Sequence, residues 1–580
     1  MVEKNERVNG NDKTISQNQS FLDSAVKIGV GLTTAVVMGY CALTGQAAQA
    51  DDKKTNNTTE IESIVETMSS YIEQNAEAMF VNEVFPNLRY EAVSADDPDL
   101  NKMKRWDNQR KEKRDALVKV FKSYGCENIQ VFDLVKKEKD GKVDTINSIN
   151  HGNYAFFCEI ASPNPNAKTF LFYNHADVQS ADRSDKAWLN DPFNPEKFFD
   201  TEITVNGKKV NDKIAYGRGV IDDTGQLFMH LFALKTLKAY GIDLPINMKF
   251  LIEMGEEMGS PLMREFLQGH KDMLKAEGVI IADGDNGTYE NMDIITSLRG
   301  ITTLDVKVKT FYTENDSCTH SGSVGGVLPN APEWIAKIAA GLKDINGIAT
   351  VASFYDGIVV PDSLREMINN GKKEGSKRGK VEKMLPFKKL GDTNKDIDER
   401  ICAMPSLEVH VIHGGEFGTK LCPTASMYIT SRIAYGQDAE KIGNSIKEKV
   451  EQLAREYGMP IARTPQEIGI YAEVKEVAQP FYSESSSPVF KAVVDGLKAG
   501  TGVKAVNYTC HGATEPIASH FGESLGVPVI NMGYGNPNSN AHGKNENILL
   551  HQDVIRGIKG MIGMYFSLSK KWELLNEMKL

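Results

Sequence analysis

The sequence has no internal repeat of short period and no heptad run, which argues against a solenoid or a coiled coil. It has no surplus of positive charge. Lys and Arg number 67 against 78 Asp and Glu, a net charge of -11 with both signs mixed along the chain. That argues against a nucleic-acid surface and leaves small-molecule or peptide ligands open. Cysteine is scarce. Of seven, six follow Ala50, namely Cys126, Cys158, Cys318, Cys402, Cys422 and Cys510, and none is paired at short spacing. This argues against a structural zinc knuckle. Export would permit disulfides, but the sequence alone assigns no pairing.

What is present is length: 580 residues, enough for two or three domains and a large core. Residues 1–20 are polar and read as disordered. Ile28 to Ala50 carries no charge, and Ala48-Gln49-Ala50 precedes Asp51-Asp52. This reads as an export signal cleaved after Ala50, with an uncleaved membrane anchor as the alternative.

The rest of the chain is organised around Tyr216-Gly-Arg-Gly-Val-Ile-Asp-Asp-Thr-Gly-Gln226. Asp222 and Asp223 follow a Gly-Arg-Gly turn and precede apolar residues at helical spacing, Leu227, Phe228, Leu231, Leu234 and Leu237. A carboxylate held at a helix start suits the holding of two cations, although an ordinary helix cap explains the pair equally well. Other strand-length apolar runs end in the same way. Thr169 to Tyr173 leads to His175 and Asp177, and Met248 to Ile252 leads to Glu256 and Glu257. Gly278 to Ala282 leads to Asp283, and Val527 to Ile530 leads through a Gly/Asn-rich loop to His542. Helical segments alternate with these strands, which predicts an α/β fold with a mostly parallel sheet flanked by helices. In such sheets the ligand site lies beyond the carboxyl ends of the strands. His175, Asp222, Glu257, Asp283 and His542 then converge, with Asp222 bridging, as a two-metal site suited to zinc.

The pattern changes after Arg299. Strand-like runs fit 301–308, 406–413 and 425–434, and helices fit 332–343 and 438–456. That order resembles a split β-α-β unit. The expected division is therefore an export signal or anchor at 1–50, a catalytic domain in two parts at 51–299 and 436–580, and an inserted ferredoxin-like α+β lid at 300–435. The Lys/Glu/Gly-rich stretch 369–383 reads as an exposed loop or short helix.

These residues make the resemblance specific. Asn174-His-Ala-Asp177, Gly217-Arg-Gly-Val-Ile-Asp-Asp223, Gly255-Glu-Glu-Met-Gly-Ser260, Ala282-Asp283 and Ala541-His-Gly-Lys-Asn-Glu546 resemble the motifs of the dizinc metallopeptidases. That family includes carnosinases, Xaa-His dipeptidases, glutamate carboxypeptidases, aminoacylases and a desuccinylase. Arg299-Gly300 and His320-Ser-Gly with Gly325-Gly326 match its lid motifs, and Phe354-Tyr-Asp356 and Pro405-Ser-Leu-Glu408 are similar to the carnosinase-like branch. The resemblance covers roughly 60 to 580.

It implies two zinc ions, with cobalt or manganese as substitutes. One takes His175, Asp283 and the bridging Asp222; the other takes Asp222, Glu257 and His542. It implies that Asp177 orients His175 and that Glu256 is the general base. His320 would reach across a homodimer, formed through the lid, to stabilise the oxyanion. Arg432 and Thr514 would bind the substrate carboxylate. The implied activity is hydrolysis of dipeptides or of C-terminal residues of short peptides. An N-acyl amino acid deacylase and a non-catalytic zinc-binding homologue are the alternatives. Some positions depart from the family: Thr224 stands where a lysine is usual, Arg432 lies one residue closer to Pro423, and Glu515 brings a charge near the expected substrate pocket.

Overall fold

The computed structural model describes residues 50–135, 152–371, 384 and 391–577. The segment read as an export signal, Ala50 apart, and most of the charged stretch 369–383 lie outside these residues.

The apolar runs become the centre of a nine-stranded sheet. Four strands lie side by side and parallel, in the order Asn247–Glu253, Thr169–His175, Val279–Ala282, Val529–Met532. Helices cover this part of the sheet, so its strands are buried almost residue by residue. That is why they read in sequence as continuous apolar runs and not as alternating ones. The flanks run antiparallel: Asn153–Ile160 and Glu127–Leu134 on one side, Met292–Leu298 and Phe481–Tyr482 on the other. Val506–His511 adds to Met292–Leu298 in parallel. The fold is α/β with a mixed sheet flanked by helices, and its parallel part is the centre.

Helix Thr224–Ala239 packs between strand Thr169–His175 and the C-terminal helix Arg556–Glu577. It is buried nearly all round because it is apolar nearly all round. Its first turn is thereby held against the sheet edge.

A second sheet has its own apolar core. Its order is Ser406–Gly414, Thr424–Ile433, Gly300–Lys309, Gly469–Ala478, antiparallel throughout. Along Thr424–Ile433 fully buried residues alternate with partly exposed ones, the period of a sheet covered on one face. Helices Ala331–Gly341 and Ala439–Glu456 pack against it. This layer continues past residue 435, since Gly469–Ala478 pairs with Gly300–Lys309.

All six cysteines after Ala50 are paired, as Cys126–Cys158, Cys318–Cys422 and Cys402–Cys510. The last pair joins helix Ile397–Ala403 to strand Val506–His511 of the main sheet.

Candidate active site

The four central strands end at one edge, and each delivers a polar group there. His175 is the last residue of its strand. Glu256 and Glu257 form a 3-10 turn just past Glu253. Asp283 follows Val279–Ala282 directly, and His542 stands in the loop beyond Val529–Met532. Asp222 arrives from the side, on the turn between strand Lys208–Tyr216 and helix Thr224–Ala239. Gly219 in that turn has φ +79°, and a Cβ there would lie 2.6 Å from Val178 Cγ1. Only glycine lets the turn approach so closely.

The side chains meet. His175 Nε2 lies 3.0 Å from Asp222 Oδ1 and 3.3 Å from Asp283 Oδ2. His542 Nε2 lies 3.0 Å from Asp222 Oδ2 and 3.0 Å from Glu257 Oε2. Asp222 therefore turns one oxygen to each imidazole. Asp177 is fully buried behind them. Its backbone oxygen lies 3.1 Å and its carboxylate 3.4 Å from His175 Nδ1, which leaves Nε2 for the cluster. The same carboxylate accepts hydrogen bonds from the backbone N–H of Glu256 (3.2 Å) and Glu257 (3.1 Å). One aspartate thus aligns the histidine and the glutamate turn. The Glu256 carboxylate itself has no hydrogen bond or ion pair among the described residues.

Asp223, read as a helix start, accepts from Asn174 Nδ2 (2.8 Å) and from the His175 N–H (3.1 Å). Asp285, two residues beyond Asp283, accepts from Ser539 Oγ at 2.8 Å and secures the loop that carries His542. Arg432 Nη1 donates to Thr514 Oγ1 (2.6 Å), which donates to the Arg299 carbonyl (2.7 Å), so the two expected carboxylate binders are together. His320 is not in the cluster. It is exposed on the lid, where its Nδ1 accepts from the Gly322 N–H at 3.0 Å.

Three residues had no role in the sequence reading. Glu546 is fully buried; its Oε1 accepts from the N–H of Ile221 and Asp222, and its Oε2 from the Gly219 N–H and the Arg218 guanidinium. Arg218 also donates to the carbonyls of His542 (3.2 Å) and Gly543 (3.1 Å). This pair clamps the Asp222 turn to the His542 loop. Both lie in motifs quoted above, but nothing in the sequence pairs them. Lys113 lies on helix Leu100–Ser123 and is fully buried, its Nζ 2.9 Å from Thr224 Oγ1. It brings an ammonium to the place where the resembling family has a lysine at position 224. One lysine in a charged helix gives no signal of this.

The charges are unbalanced. Asp177, Asp222, Asp223, Glu256, Glu257, Asp283, Glu515 and Glu546 stand close together, with Lys113 and Arg218 as basic groups among them. Hydrogen bonds to Asp222 and Glu257 push the His542 imidazole up to about 11. Burial opposes charge on His175, but Asp283 and the bonds to Asp177 and Asp222 carry it well above its usual value. Burial raises Glu256 well above the usual carboxylate range, and Asp283 and Glu257 push the same way. Burial and Asp283 push Glu515 up to about 8. Imidazoles that would otherwise hold protons to balance carboxylates are suited to give them up to cations. The spacing fits too. Ligands on a tetrahedral ion with bonds near 2.0–2.1 Å stand about 3.3 Å apart, close to the 3.0–3.3 Å found here. The donor atoms of Asp222, Glu257 and His542 all lie within 4.8 Å of one another, as do those of His175, Asp223 and Asp283. The residues present therefore fit divalent cations.

Comparison with known proteins gives the family. The chain is 32% identical over 266 residues to human Beta-Ala-His dipeptidase, a match covering 44% of this chain and 48% of that protein, about half its length. It is 26% identical over 460 residues to the Cys-Gly metallodipeptidase dug1 of Schizosaccharomyces pombe, covering 77% and 88%. Its fold is similar to the crystal structure of human carnosine dipeptidase 1, with TM-score 0.65 and 23% identity over 87% of this chain and 100% of that one. Residues 171–565, which hold all five candidate ligands and Glu256, match the model of peptidase family M20/M25/M40, and the chain belongs to that family.

Proposed function

We propose that this protein is an exported metallodipeptidase with two zinc ions per subunit. The observation that carries the proposal is Asp222 turned to two imidazoles, His175 and His542, beside the unpartnered Glu256. The family implies a divalent metal, and the relatives named above are dipeptidases. One ion is held by His175, Asp222 and Asp283, the other by Asp222, Glu257 and His542. Bound there, the ions supply Lewis acidity toward the peptide carbonyl and lower the pKa of a water.

The chain's own residues do the rest. Asp177 and Asp223 hold the His175 ring and backbone in place. Glu256, free of partners and on a turn pinned by Asp177, takes a proton from the attacking water and hands it to the leaving amine. Arg432 and Thr514 receive the substrate carboxylate. His320, exposed on the lid, serves the site of a second copy in a homodimer. The lid runs from Gly300 to Ala478 in this reading, since its sheet takes in Gly469–Ala478.

Export is supported by the three disulfides, which persist in oxidising compartments. Among the described residues no helix is long and apolar enough to cross a membrane. The test is metal analysis of the purified protein joined to a panel of dipeptides and N-acyl amino acids. Zinc-dependent cleavage of dipeptides is expected; cleavage of N-acyl amino acids alone, or of nothing, would reject the proposal.

A further inference from the structure

Glu515 departs from the resembling family and has no part in the mechanism above. It precedes helix Pro516–Leu525 at the N-cap position, yet its carboxylate caps no N–H. Asn531 Nδ2 donates to Oε2. Oε1 is sealed from solvent and has no hydrogen-bond partner among the described residues. A carboxylate oxygen left so is costly unless a cation or a strong donor reaches it.

Its surroundings say what the visitor is. Asn531 is the last residue but one of strand Val529–Met532, and the Asp283 N–H donates to the carbonyl of the next residue, Met532, at 2.9 Å. Glu515 is therefore bonded to the sheet edge that carries Asp283. It does not belong to either group of close-set ligand atoms. Its chain neighbour Thr514 is bonded to Arg432. The Arg432 guanidinium, on strand Thr424–Ile433, thus meets the loop one residue before Glu515, whose Oε1 has no partner among the described residues, and the two charges match the two ends of a small zwitterion.

We propose that Glu515 is a specificity-determining residue that receives the free amino group of the dipeptide substrate. This rests on the dipeptidase reading. A terminal ammonium brings positive charge and several N–H donors to Oε1. An acylated nitrogen brings no charge and a single N–H, and it leaves Oε1 without a charged donor. Glu515 so separates free dipeptides from N-acylated dipeptides.

The experiment compares the zinc-loaded protein with Glu515→Gln on Ala-Leu and on N-acetyl-Ala-Leu. Gln keeps the size of the side chain and an acceptor for Asn531 but removes the charge. The unaltered protein should prefer the free dipeptide. Glu515→Gln should lower kcat/KM on Ala-Leu by about ten- to a hundredfold, as expected for a charged hydrogen bond. Its rate on N-acetyl-Ala-Leu should stay within about threefold, so that the preference collapses. An unchanged preference, or an equal fall on both substrates, overturns the inference and leaves the dipeptidase reading standing. No cleavage of any dipeptide by the unaltered protein would instead reject that reading, and the inference with it. Should the variant lose its metal, calorimetric binding of a phosphinic dipeptide analogue with and without its amino group, to the unaltered protein, decides. Equal affinity for the two overturns the inference, and a tenfold preference for the amine supports it.

Discussion

Lys113 Nζ lies 2.9 Å from Thr224 Oγ1, and neither side chain reaches solvent. The lysine comes from a helix more than a hundred residues upstream of the aspartates it serves. Burial drives its pKa down to about 7, while Asp177, Glu546 and Asp223 act to keep it charged. Lys113→Met keeps the stem and deletes the ammonium. It should lower the unfolding free energy by about 1–3 kcal/mol, the cost of leaving a buried polar partner unsatisfied. Urea unfolding of the metal-free protein measures this; no change would show that the contact contributes nothing.

The Arg218–Glu546 pair is the more severe case, because both partners are buried and charged. Removing one partner strands the other, which typically costs about 3–5 kcal/mol. Glu546→Gln should therefore destabilise the fold by that order. It should also weaken zinc binding, since Glu546 holds the Asp222 N–H and Arg218 holds the His542 carbonyl. Urea unfolding and zinc competition titration are the two measurements.

Glu256→Gln should behave in the opposite way. The carboxylate makes no hydrogen bond or ion pair among the described residues, so stability and zinc content should stay close to those of the unaltered protein. Turnover should fall by about 100- to 10,000-fold, the usual contribution of a positioned base. Metal analysis beside steady-state kinetics tests this; near-normal turnover would remove Glu256 from the mechanism.

His230 gives a pH dependence of its own. It is fully buried among Phe172, Phe250 and Tyr565, with Nδ1 2.7 Å from the Tyr565 hydroxyl and Nε2 without a partner among the described residues. Burial lowers its pKa to about 3. The unfolded chain, with histidine near 6.5, then binds a proton that the folded chain does not. Stability should fall as pH drops below about 6.5, by about 1.4 kcal/mol per pH unit from this group, until about pH 3. His230→Phe should flatten the slope of unfolding free energy between pH 7 and pH 5 by that amount.

Much of the site was legible before folding. Each central strand is a short apolar run because it is covered on both faces, and the group that follows it must lie at the carboxyl edge. His175, Glu257, Asp283 and His542 were read that way, and the bridging place of Asp222 followed from two imidazoles and three carboxylates. The antiparallel flanks were harder to read. Strand direction leaves no mark in a run such as Asn153–Ile160, which is buried like its parallel neighbour. The lid sheet hid its last strand, because Gly469–Ala478 lies far along the chain from the strand it pairs with.

The amino-acid sequence by itself determined which histidines and carboxylates stand at the carboxyl edge of the sheet, since that depends on residue type and on position relative to strand ends, both local properties. Tertiary structure alone decided how those residues are held: Lys113 against Thr224, Glu546 against Arg218, Asp177 against the glutamate turn, and each cysteine with its partner. Such pairings join points tens to hundreds of residues apart, and only packing chooses among the alternatives, because a buried charge or polar atom is tolerated only where a partner meets it.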